Sequence, residues 1–178
     1  MVKHEALQAN AAMRKLLAEQ NLVIDQIPEK ADFPIWMKRD AAGRPYWGVG
    51  HFWSMDKGGD AAGRDLSQLE WDGNEVYLDA YSEADIPRML RDMIGILKSW
   101  QRQMERDWPD TPFCLLGSYD DGAELVNNDD STERFFTVTF RFWAPRGRNS
   151  VVYLGAFDEW RQPALLGFCG GADRECWS

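Results

Sequence analysis

Residues 82–108 read SEADIPRMLRDMIGILKSWQRQMERDW, the longest stretch of the chain with one sustained periodicity. Ile86, Met89, Leu90, Met93, Ile94, Leu97, Trp100, Met104 and Trp108 recur at intervals of three and four, while Arg88, Arg91, Asp92, Lys98, Arg102, Glu105 and Arg106 fill the positions between. That spacing puts the two sets on opposite faces of one amphipathic helix. Ser82 is placed to cap the first turn, Glu83 and Asp85 lie near its positive end, and Pro87 is tolerated only that early. Trp108-Pro109 stops the helix. At about 1.5 Å per residue it would run for roughly 35 to 40 Å, enough to cross a small domain.

The flanking segments read as strands. Residues 74–80 lead into the helix, and 66–71 are expected to pair with them through Asp72-Gly73, a two-residue turn in which Gly73 would take a positive φ. After the helix, residues 113–117 form a short strand. In 134–143, Phe136, Val138, Phe140 and Phe142 alternate with Phe135, Thr137, Thr139, Arg141 and Trp143, the pattern of a central antiparallel strand. Residues 150–155 read as its partner, and 159–168 as a last short strand or helical turn interrupted by Pro163.

Towards the N-terminus, 33–38 and 46–53 form a hairpin through the turn-rich residues 40–45. The second strand sets Trp47, Val49, His51 and Trp53 on one face and Tyr46, Gly48, Gly50 and Phe52 on the other, so a bulky group should fill the gap left by the glycines. Residues 54–65 read as a loop and 3–20 as a first helix carrying Ala6, Leu7, Met13, Leu16 and Leu17.

Links of hairpin length, without helical crossovers between successive strands, argue against a parallel doubly wound sheet. The fold class is α+β: one domain over residues 1–178, a twisted antiparallel sheet with the long helix across one face and an additional N-terminal helix. Residues 1–5 and 171–178 are expected to be loose.

A chain of 178 residues can bury a sizeable core, and 9 Trp, 9 Phe and 5 Tyr make that core rich in rings. No apolar run approaches the roughly 20 residues of a membrane helix, and no signal-peptide pattern opens the chain, which therefore reads as cytoplasmic. The thiols Cys114, Cys169 and Cys176 are expected to be unbridged in such a compartment.

The net charge of −9 is concentrated. Residues 107–133 hold eight acids (Asp107, Asp110, Asp120, Asp121, Glu124, Asp129, Asp130, Glu133) and no Lys or Arg, which leaves 21 acids against 20 bases elsewhere. The field of this window repels nucleic acid and attracts a basic partner, and its part from the end of the 113–117 strand to Glu133 reads as a long acidic loop.

Chemical motifs are sparse. His4 and His51 are the only histidines, so a three-histidine metal site is excluded, and Cys169 and Cys176 stand too far apart for a zinc knuckle. Gly48-Val49-Gly50 lacks the third glycine of a dinucleotide fingerprint, and Lys57-Gly58-Gly59 lacks the order of a phosphate loop. Residues 127–133 begin like a calcium loop but lack its central glycine. No cofactor or metal is expected.

These features point to a binding protein: an acidic inhibitor that neutralises a basic protein partner, as immunity proteins and inhibitors of nucleic-acid enzymes do, with no direct contact to nucleic acid or membrane. Its expected contacts are Asp120, Asp121, Glu124, Asp129, Asp130 and Glu133. An alternative is a small enzyme using His51, Asp56, Asp60 and Arg64 as base, carboxylates and guanidinium beside a glycine-rich loop. A structural or assembly role is the third reading.

Overall fold

A stripe of large apolar residues as long as that of 86–107 requires a broad apolar surface to cover it, and the sheet supplies one. The structure, a computed structural model, describes residues 7–50, 65–126, 132–146 and 156–170. In chain order its elements are β1 (Gln8–Ala9), α1 (Ala11–Glu19), β2 (Ile35–Arg39), β3 (Pro45–Val49), α2 (Leu66–Gly73), β4 (Val76–Ala80), α3 (Ile86–Asp107), β5 (Phe113–Val126), β6 (Thr132–Trp143) and β7 (Ala164–Cys169). Five strands form one antiparallel sheet in the order β1-β7-β5-β6-β4, and β2 and β3 form a separate antiparallel hairpin. The class is α+β, as the sequence predicts.

Helix α3 lies across β4, β5, β6 and β7. Met93, Ile94, Leu97, Trp100 and Met104 are essentially inaccessible, while Arg102 faces solvent. The Trp100 ring sits 5.3 Å from Phe140 and 5.2 Å from Phe142, so alternate residues of β6 meet the apolar stripe of the helix. Ser82 accepts the Ala84 N–H at the entry, a 3-10 turn (Glu83–Asp85) leads into α3, and the Trp108 N–H closes the end on the Met104 carbonyl.

The opposite face of the sheet has its own apolar cluster. Cys114, Leu116, Trp143, Leu166 and Phe168 are covered there by Phe157, with Trp71 of α2 and Trp160 packed at its border. Trp71 stands edge-on to Trp143 at 4.8 Å. Cys114 and Cys169 are both buried thiols; Cys176 lies outside the described residues.

β3 ends at Val49, and over Tyr46 to Val49 the hairpin has the two faces predicted for it. Trp47 packs against Trp108 and Phe113, and Tyr46, on the other side, joins Leu66 and Leu69 of α2. The gap at Gly48 is filled by Trp36: a Cβ at Gly48 would lie 2.2 Å from the Trp36 ring, so only glycine fits. The same indole donates to the Gly50 carbonyl at 3.1 Å, although Gly50 lies past the end of β3 with φ +53° and nothing lies within 4 Å of the point where its Cβ would sit.

Three expectations are corrected. Residues 66–73 are a helix, α2, and not a strand entering an Asp72-Gly73 turn; Gly73 is helical and is not among the positive-φ residues. Asp65 starts α2 by accepting the Ser67 N–H, and Gln68 donates to Asp72 one turn later, local bonds that favour helix over hairpin. Second, the first helix begins at Ala11, because Asn10 caps it by accepting the Met13 N–H, and Gln8–Ala9 instead pair with β7. Third, most of the stretch expected as a long acidic loop is paired: β5 runs to Val126 and β6 begins at Thr132. The strand expected at 150–155, residues 51–53 of the strand expected at 46–53 and all of the loop expected at 54–65 except Asp65 lie outside the described residues, as do 1–6 and 171–178.

Candidate functional site

β5 and β6 continue beyond the rest of the sheet. β7 pairs with β5 only over Phe113–Ser118, and β4 with β6 only as far as Phe136, whereas the β5–β6 pairing extends to Val126 and Thr132. The outer part is therefore a two-stranded arm. At its root the register shifts between Asp120 and Ala123, so that Asp121 and Gly122 together oppose Phe136, a β-bulge. Gly122 has φ +127° and its N–H donates to the Asp120 carboxylate at 3.1 Å. A Cβ there would lie 2.7 Å from Arg134 Nε. Arg134 in turn donates to the Asp121 carbonyl at 2.7 and 3.1 Å and lies over the Phe136 ring.

Beside this bulge is a cleft of about 1000 Å³. One wall is α1 with Lys15, Leu16 and Glu19; a second is the entry to α3, with Glu83, Ala84 and Ile86; Arg161 to Pro163, ahead of β7, border it as well. Tyr119 and Phe136, both buried, line it from the sheet, and Asp120 and Asp121 stand exposed at its edge.

Tyr119 registers the charge around it. Burial pushes its hydroxyl above the ordinary tyrosine value, and the carboxylates of Asp121, Glu83 and Asp120 push in the same direction, against Arg134. Three acids from two separate elements thus act on one buried phenol, with one guanidinium opposing them. Lys15 is engaged with Glu19, one turn away on α1, at 3.9 Å.

The predicted contacts divide accordingly. Asp120 and Asp121 are brought together at the cleft; Glu124 and Glu133 lie in the paired arm, Glu124 across from Arg134 and Glu133 across from Leu125. Asp129 and Asp130 lie outside the described residues, and so do His51, Asp56, Asp60 and Arg64. The fold also softens the one-signed charge of 107–133: Arg106 holds Asp107 with two hydrogen bonds of 2.7 and 2.9 Å, and Arg134 closes on the bulge. Glu83 joins the acids from far away in sequence, which no local pattern announces. Among the described residues no group of three or more His, Cys, Asp or Glu is arranged to hold a metal ion.

A second polar group, missed in the sequence, is structural. Glu70 of α2 is fully buried, and its carboxylate accepts from the Trp47 N–H (3.1 Å), the Ala144 N–H (2.7 Å) and both terminal nitrogens of Arg146 (2.6 and 3.0 Å). Ser67 donates to the Ala144 carbonyl, and Asn74 donates to the carbonyls of Trp47 and Phe142. These bonds join α2, the β2–β3 hairpin and the end of β6. Burial raises the Glu70 carboxyl above its ordinary range, opposed by Arg146 and the two backbone donors.

Comparison with known families, curated proteins and solved structures finds nothing that matches this chain.

Proposed function

We propose that this protein is an acidic binding protein that neutralises a basic protein partner, using the cleft at the root of the β5–β6 arm. The observation that carries this reading is that Glu83, from the entry to α3, and Asp120 and Asp121, from β5, line one cleft. These carboxylates come from two separate elements, and a partner lysine or arginine entering the cleft would meet all three. The net charge of −9 steers a basic partner to the surface and disfavours nucleic acid. Neutralisation follows by coverage of the partner's basic site, as in other acidic inhibitors, an analogy of class.

The test uses the immobilised protein to capture partners from a lysate of its native host at low salt. A variant carrying Glu83→Lys, Asp120→Lys and Asp121→Lys is run beside it. One stoichiometric basic protein held by the wild type, released as ionic strength rises and lost from the folded variant is the expected result. Equal capture of that protein by the variant overturns the proposal.

A further inference from the structure

On the sheet face opposite α3 and α1, a crease of about 240 Å³ opens between Trp71 and Trp160. Leu116 and the guanidinium of Arg141 line it, together with the polar side chains of Ser118, Thr139 and Gln162. We infer that this crease binds a single neutral sugar ring, at a site separate from the acidic cleft and independent of the reading given above.

Charge decides the ligand class. Arg141 is mostly buried, stacks 4.2 Å over the Trp71 ring, donates to the Trp71 carbonyl and is paired with Glu75. Its charge is therefore already balanced within the fold, and neither an anion nor a cation finds an uncompensated opposite charge there. Guanidinium N–H groups, two hydroxyls and a carboxamide nevertheless offer both donors and acceptors around a small volume.

Shape narrows the class further. Two half-buried tryptophans border the crease, and Trp71 is fixed by the Trp143 ring on one side and by Arg141 on its face, so it is held in place without a ligand. Trp160 is braced by Phe157 at 5.3 Å. A flat aromatic ligand would use the rings but leave four polar side chains unmatched. A pyranose presents C–H faces to aromatic rings and hydroxyls to polar groups, and the crease has room for one ring only.

The probes are the methyl glycosides of glucose, galactose and mannose, with sodium benzoate and benzamidine hydrochloride as charged controls. Binding is read from the indole N–H resonances of Trp71 and Trp160 in wild type, in Thr139→Val, in Gln162→Ala and in the double variant. At least one glycoside is expected to move both indole signals at millimolar concentration, and the double variant, melting like wild type, to weaken it at least about tenfold. If the double variant melts lower, each single variant that keeps the wild-type melt is expected to weaken it several-fold. The inference is overturned if no glycoside moves the two signals at tens of millimolar, if benzoate or benzamidine moves them more strongly than every glycoside, or if the folded variants bind as wild type does.

Discussion

Replacing Glu70 by alanine removes a buried carboxylate that ties α2 to β3 and to the end of β6. Two buried backbone donors, of Trp47 and Ala144, lose their acceptor, and Arg146 loses its counter-charge. Breaking a buried ion pair from one side costs about 3 to 5 kcal/mol. Arg146 retains 29% exposure and can turn towards water, which puts Glu70→Ala near the lower end, about 3 kcal/mol. Urea unfolding followed by tryptophan fluorescence measures it. The pH dependence is a second readout. The folded-state pKa of Glu70 lies above its ordinary 4.5, so the folded chain binds the proton more tightly than the unfolded chain. Its contribution is fully present below the ordinary value and is lost as pH rises through the raised one. Wild type should accordingly lose stability relative to Glu70→Gln over that window, and the window should widen in Arg146→Ala, where one of the groups lowering the pKa is gone. A loss below about 1 kcal/mol for Glu70→Ala, or wild type gaining on Glu70→Gln as pH rises, would refute the clamp.

Three further outcomes are expected. Leu97→Ala should cost about 2 to 5 kcal/mol because the side chain is fully enclosed between helix and sheet, whereas Arg102→Ala, which gives up an exposed pair with Glu29, should stay within about 0.5 kcal/mol; both are read by urea unfolding. Spectrophotometric titration should find a tyrosine ionising above the ordinary 10.0 that is absent from Tyr119→Phe and shifted back down in Asp121→Asn, since the Asp121 carboxylate adds to the effect of burial. Gly122→Ala should cost about 1 to 3 kcal/mol in thermal or chemical unfolding, because φ +127° suits glycine and the new Cβ would press on Arg134.

How much of this could be read in the sequence depended on the range of the determining contacts. The 22 residues of α3 carry enough turns for their own periodicity to decide the helix and its buried face. The aromatic alternation of β6 and the gap at Gly48 were legible for the same reason, since strand faces follow from spacing alone. α2 is only eight residues long, and its Asp72-Gly73 pair resembles a hairpin turn; the contrary signals were Asp65 as a cap and Leu66 and Leu69 three residues apart. The arm was hidden because the bulge at Asp121 and Gly122 interrupts the two-residue period, so an Asp-rich strand passed for a loop. Glu70 and Arg146 stand 76 residues apart, and Glu83 reaches Asp120 and Asp121 only through the packing of α3 on the sheet. Such groups have no local signature, and only the tertiary structure assembles them.

The most direct measurement on the cleft itself is an amide NMR titration with a lysine-rich peptide at low and at physiological salt. If the cleft is the basic-partner site, shifts concentrate at Tyr119 to Gly122, at Glu83 and along the Lys15 to Glu19 wall, weaken steeply with salt, and vanish in the Asp120→Lys, Asp121→Lys variant. Shifts spread evenly over the acidic surface, or centred on another face and undiminished in that variant, would contradict it.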